Sequence, residues 1–200
     1  MITDPNTPGN TPLHPDDAAH LIPNLATREE LDQWERQNIL QAQEWAFNPR
    51  VMSSRDPLDE IYLRDLHRKM FNETWKWAGK YRIRDFINSG CAFAQIQERI
   101  SVLLGDAKFW FEHETFTIDE IGVRLHHRLV WTIHAFPNGN GRHARLLANI
   151  VAVKHGRPRF TWGRTNLGPG DPAREAYFKA LHALDENDNN IQPLLDVARS

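Results

Sequence analysis

The sequence predicts an all-α fold with one small β-hairpin, and three observations carry that reading. Two tetrads, Thr27-Arg28-Glu29-Glu30 and Thr117-Ile118-Asp119-Glu120, place a threonine at the N-cap and a glutamate at N3, the capping-box signature of a helix start. Apolar residues then recur at helical spacing, as Ile121, Leu125, Leu129 and Ile133 do. Two short β-prone runs flank a single turn signal, Asn88-Ser89-Gly90.

Bulk properties bound the rest. A chain of 200 residues with 40% hydrophobic content suits one globular domain with an N-terminal extension. A net charge of −2 argues against bulk electrostatic binding to nucleic acid or an anionic membrane. One cysteine, Cys91, rules out an internal disulfide framework and suits a reducing compartment. The start of the chain lacks a cationic segment followed by an apolar one, and no apolar run approaches the roughly 18–20 residues that span a bilayer. The expectation is a soluble, cytoplasmic protein.

In chain order, Met1 to Pro15 carries four prolines among Asn, Thr and Gly and reads as an extended arm, followed by a short helical turn at Asp16–Leu21. The helix opened by Thr27 has an imperfect apolar face of Leu31, Trp34, Ile39 and Trp45 and stops at Asn48-Pro49. Asp56-Pro57 opens another, presenting Ile61, Leu63, Leu66 and Met70. Trp75, Trp77 and Tyr81 read as core packing around Gly79. The hairpin at Arg82–Ala94 is either decoration or an edge that pairs with an extended segment of a target. Helices follow over Gln95–Glu112 and from Thr117 to Ile133. A helix to about Lys154, apolar nearly all round, should lie at the centre of a bundle and end at His155-Gly156. Gly163–Gly170 reads as a loop, Asp171-Pro172 opens a helix to about Leu184, and Ile191–Ala198 is the last. The organisation expected is an arm at 1–26, an N-terminal helix at 27–56 and a helical domain at 57–198.

The chemistry concentrates in Ile133–Asn149. Small residues feeding a helix start make an anion site, because free backbone N–H groups point at the ligand. Gly139, Asn140 and Gly141 fit that role, and Arg142 and Arg145, one helical turn apart, can grip one polyphosphate. His134, with an ordinary pKa of about 6.5, suits proton abstraction at neutral pH. Taken singly, each residue also has a purely structural reading: a satisfied core histidine, ion-paired arginines, a glycine turn. Their joint spacing favours function. His126, His127 and His143 raise a metal site as a rival, but adjacent histidines face different sides of a helix and no Cys or carboxylate pattern accompanies them.

The run His134, Phe136, Gly139, Asn140, Gly141, Arg142, Arg145 resembles the H-x-F-x-x-G-N-G-R-x-x-R signature of the Fic (Fido) proteins. Trp77-Ala78-Gly79-Lys80-Tyr81-Arg82 and His126-His127-Arg128-Leu129-Val130 look closest to the branch called mobile mystery protein B. The resemblance implies a Fido-type helical bundle whose hairpin is a flap over the active site. It implies a nucleotidyltransferase that moves AMP from ATP to a Ser, Thr or Tyr hydroxyl of a target protein. His134 would be the general base and Phe136 would pack the loop into the core. Gly139, Asn140 and Gly141 would form the phosphate nest, with Arg142 on the phosphate chain and Arg145 on its terminal phosphate. The alternatives it leaves are a phosphotransferase, a transferase of another nucleotide, or a catalytically weak nucleotide- or partner-binding module.

Two departures from the family pattern stand out. The position that is usually an acidic Mg²⁺ ligand is Asn138, whose amide oxygen can coordinate Mg²⁺ but carries no charge. At an effective dielectric near 20, a unit charge at 4 Å is worth about 4 kcal/mol, so metal dependence should weaken. Second, the family's inhibitory [ST]-x-x-x-E-[GN] pattern is missing: the glutamate followed by Gly or Asn is Glu186, with His182 four positions before it. The expectation is that no internal glutamate restrains Arg145, and that restraint comes from a separate antitoxin-like protein or from weak catalysis.

Overall fold

The computed structural model describes residues 14–86, 90–163 and 172–200. Among them the helices are α1 (Pro15–Ala18), α2 (Arg28–Ala46), α3 (Pro49–Ser54), α4 (Glu60–Phe71), α5 (Ile96–Glu112), α6 (Ile118–His127), α7 (Asn140–Lys154), α8 (Pro172–Glu186) and α9 (Gln192–Arg199). A 3₁₀ turn, Phe93–Gln95, leads into α5, and a π-helical turn, Arg128–Ile133, extends α6. The all-α class is as the sequence predicts.

Both capping boxes form. Thr27 accepts from the Glu30 N–H at 3.2 Å while the Glu30 carboxylate takes the Thr27 N–H at 3.1 Å, and Thr117 and Glu120 repeat the exchange at 3.2 and 2.8 Å. Asn48-Pro49 ends α2 but also starts α3, because Asn48 Oδ1 accepts the Arg50 N–H and Pro49 occupies the first turn. α7 buries Ala144, Leu146, Leu147, Ala148, Ile150, Val151 and Ala152, as a central helix must. On one side of it, α2, α4, α5 and α6 close a core around Leu63, Leu66, Phe71, Ile100 and Leu125; on the other, α8 and α9 close a second around Tyr177, Leu181 and Leu194.

Three expectations change. The buried face of α2 is Leu31, Glu35, Asn38, Ala42 and Ala46, whereas Trp34 is 44% exposed. Asn38 explains this rotation: its side chain meets the Lys69 carbonyl and the Glu73 N–H, fixing α2 against the end of α4. Residues 14–26, read as the end of an arm, lie against residues 74–77, with an antiparallel bridge from Leu21 to Trp75 and backbone bonds Ile22 N–H to Thr74 O (2.9 Å) and Lys76 N–H to His20 O (3.0 Å). Unpaired buried backbone is costly, so a segment this close to the core takes sheet-like partners. The tip of the expected hairpin, residues 87–89, lies outside the described residues; in its flanks at 82–86 and 90–92 Phe86 is a bridge residue and no longer strand occurs, so the hairpin is not established. The rest of the arm at 1–13 and the loop and cap at 164–171 also lie outside them. The described helices include none long and apolar enough to cross a membrane.

Candidate active site

The loop His134–Gly139 joins the π-helical turn to α7. The wider turn places the chain so that His134 takes a left-handed conformation, φ 50 and ψ 60, which costs a non-glycine residue about 1–2 kcal/mol. Such strain at a candidate catalytic residue needs surrounding structure to hold it. His134 Nδ1 lies 3.0 Å from the Val130 carbonyl, which can only accept, so Nδ1 carries the proton and Nε2 is the basic nitrogen. The ring sits edge-on to Phe86, centroids 5.4 Å apart. Burial lowers its pKa to about 4, the bond to Val130 opposes that, and the Arg82 charge adds to it. His134 is therefore neutral and base-competent throughout the physiological range.

Behind the loop, Asn140 folds its side chain back onto Phe136, with Oδ1 accepting the Phe136 N–H at 2.9 Å and Nδ2 donating to its carbonyl at 2.8 Å. Phe136 is buried and stacks on His67, centroids 3.7 Å apart. His67 in turn accepts the Gly79 N–H at Nδ1 (3.0 Å) and donates from Nε2 to the Asn138 carbonyl (3.0 Å), while burial drives its pKa well down and keeps it neutral. Gly139 has φ 78, and a Cβ there would come within 2.5 Å of Phe71. Both the conformation and the contact require glycine.

The N–H of Gly139 does not face outward as one arm of a nest; it donates to Asn138 Oδ1 at 2.5 Å. The first-turn N–H groups at Asn140, Gly141 and Arg142 remain as the helix N-terminus that can receive an anion. Arg142 stacks its guanidinium over Phe71 at 4.9 Å, donates to Asn138 Oδ1 at 3.4 Å and pairs with Glu35 at 2.5 Å. Glu35, buried on α2, also accepts the Trp75 Nε1–H at 2.7 Å. Among the described residues no acidic side chain pairs with Arg145, but an acidic residue of this chain does reach the motif, at Arg142. Its signal in sequence was a glutamate on the face of α2 that Leu31 and Ala42 share, overshadowed by three bulkier apolar residues elsewhere. Arg145 is bonded to the Tyr177 hydroxyl, which sits 2.8 Å from His126 Nε2.

The histidines considered as a metal site serve the core. His127 Nε2 meets the Leu181 carbonyl at 3.2 Å and His143 Nε2 the Leu63 carbonyl at 3.0 Å, and no cluster of three metal-ligating side chains occurs among the described residues. Asn138 does not form a preorganised Mg²⁺ site either. Its Oδ1 is a neutral dipole already accepting from the Gly139 N–H and lying near the Arg142 cation.

Residues 57–152 match the family model described as the Fic/DOC family. Over that segment the chain is similar to the Fic/DOC family. A curated relative, protein adenylyltransferase fic-1 of Caenorhabditis elegans, is 34% identical over 94 residues, a match covering 46% of this chain and 17% of the relative's length. The N-terminal Fic domain of a cell filamentation protein from Bartonella quintana superposes with a TM-score of 0.67 at 18% identity, covering 93% of this chain and 92% of that one. The same Bartonella domain with bound ADP gives 0.63 at 17% identity, covering 90% and 87%. These structural likenesses establish the Fic fold.

Proposed function

We propose that this chain is a Fic-type protein adenylyltransferase, moving AMP from ATP to a Ser, Thr or Tyr hydroxyl of a target protein. The observation that carries this reading is the tautomer of His134: Nδ1–H is held by the Val130 carbonyl, so Nε2 is the nitrogen that bears the ring's lone pair, on the loop that leads into α7. His134 Nε2 takes the hydroxyl proton, the oxygen attacks the α-phosphorus, the bond to the bridging oxygen breaks, and pyrophosphate leaves. The first-turn N–H groups of α7 with Arg142 and Arg145 bind the phosphates and stabilise the charge that moves onto them. Anionic phosphate beside the imidazole raises its basicity from the low value set by burial. ADP in the Bartonella Fic domain and the adenylyltransferase name of the nematode relative support the choice of an adenine nucleotide. Magnesium, in this reading, arrives on the phosphates of ATP rather than on a protein carboxylate, and regulation by a separate inhibitory protein acting at Arg145 belongs to the same proposal.

A second reading, a nucleotide-holding module with slow turnover, is favoured by one observation: Arg142 is already engaged by Glu35 and Asn138. Incubating the full chain and a cell lysate with ATP labelled at the α- or the γ-phosphate separates the readings. Label from α-phosphate on protein, lost in His134→Ala, is the expected result. Label from γ-phosphate alone would replace adenylyl transfer by phosphoryl transfer, and ATP binding without label would leave the module.

A further inference from the structure

Arg82 lies outside the signature motif, yet its side chain is 1% exposed and its donors address two separate segments. We propose that Arg82 is a positioning residue of this site, holding the 133–135 backbone that presents His134 and tying the backbone at Arg84 and at Cys91 to it. The inference rests on the reading of His134 as the base.

The geometry is a fork used from both sides. Nε donates to the His134 carbonyl at 2.8 Å and one terminal nitrogen to the Ile133 carbonyl at 3.3 Å, while the Arg82 backbone N–H donates to the Ala135 carbonyl at 2.9 Å. These are the three consecutive carbonyls around the left-handed residue. On its other side the guanidinium donates to the Arg84 carbonyl at 2.8 Å and to the Cys91 carbonyl, and lies 3.5 Å from the exposed Asp85 carboxylate. Phe86 covers both partners, 5.0 Å from the guanidinium and edge-on to His134. Gly90 closes the contact: at φ 74, a Cβ there would fall 2.7 Å from His134 Cβ and 3.0 Å from the guanidinium. A lysine has the charge but not the planar five-donor fork that these carbonyls require.

Two consequences follow. Without the fork, His134 loses the partners that hold it left-handed and its ring no longer keeps one orientation. Without the charge, the imidazole becomes more basic. Among the described residues, those facing His134 include the Val130 carbonyl from the π-helical turn, Arg82 with Asp85 beside it, and the Phe86 ring, while Cys91 faces Arg82 from the 90–92 segment.

The test compares full-length wild type, Arg82→Lys and Arg82→Gln by NMR of ¹⁵N-histidine-labelled protein, assigning His134 with His134→Ala. In Arg82→Gln the titration midpoint of His134 should rise, because a positive charge that disfavours the imidazolium is gone. In Arg82→Lys the midpoint should stay near wild type while the single Nδ1–H tautomer gives way to a mixture. Label transfer from α-labelled ATP should fall at least tenfold in both, with ATP affinity measured by calorimetry changed less than threefold. Folded variants in which the His134 midpoint, tautomer and transfer all match wild type would overturn the proposal. If Arg82→Gln does not fold, an unchanged tautomer and transfer in Arg82→Lys overturn it alone. If wild type transfers no label while the NMR changes appear, the transferase reading fails and the positioning role stands.

Discussion

Lowering the pH from about 7.5 to about 5 tests the buried histidines directly. His134 and His143 are held to pKa values of about 4, in each case mainly by burial, and His67 and His126 are pushed well below the ordinary 6.5 for the same reason. In the unfolded chain all of them titrate near 6.5, so below that pH the unfolded state takes up protons that the folded state refuses. Stability is therefore complete above about pH 6.5 and falls as the pH drops toward the folded values. At pH 5 the unfolded imidazole is about 1.5 units past its midpoint, and at about 1.36 kcal/mol per unit each of His134 and His143 costs ~2 kcal/mol. Their sum of about 4 kcal/mol is a large part of the 5–15 kcal/mol typical of a domain. The carboxylates held low here, Asp119 by Arg199 and Arg157 against its own burial and Glu30 by its capping bonds, lose their contribution only at more acidic pH. Urea unfolding at a series of pH values reads the slope, and His143→Gln, which keeps a donor for the Leu63 carbonyl, should flatten it. Unfolding free energies equal within about 1 kcal/mol between these pH values would refute the reasoning.

Gly139→Ala should lose about 2–5 kcal/mol, the sum of a left-handed alanine and a clash with Phe71, read as a drop in the urea midpoint. Glu35→Gln should cost about 1–3 kcal/mol, less than a fully buried pair because the Arg142 side chain is 34% exposed; calorimetry should then show tighter ATP binding, since Arg142 no longer shares its charge. Asn138→Asp should lower the Mg²⁺ concentration needed for half-maximal label transfer at least tenfold, in line with a unit charge at a few ångströms being worth up to about 4 kcal/mol.

The helices of this protein were legible because their signals are local. A threonine and a glutamate three residues apart close a capping box within one turn, and α7 announces its central place by being apolar nearly all round beyond Arg145. The candidate motif could be picked out for the same reason, since His134 through Arg145 are neighbours in the chain. What the sequence by itself could not determine are the partners that arrive from far away. Glu35, 107 residues before Arg142, reads as one more surface glutamate until α2 packs with Asn38 toward α4. The role of His67 depends on where Gly79 and Asn138 meet it, and that of Arg82 on three carbonyls about 50 residues later. The low pKa of His134 is likewise a property of the enclosed site. Local chemistry chooses the helices and the reactive loop; only the tertiary structure decides which charges are buried beside that loop, because desolvation and long-range hydrogen bonds exist only once the chain has closed around them.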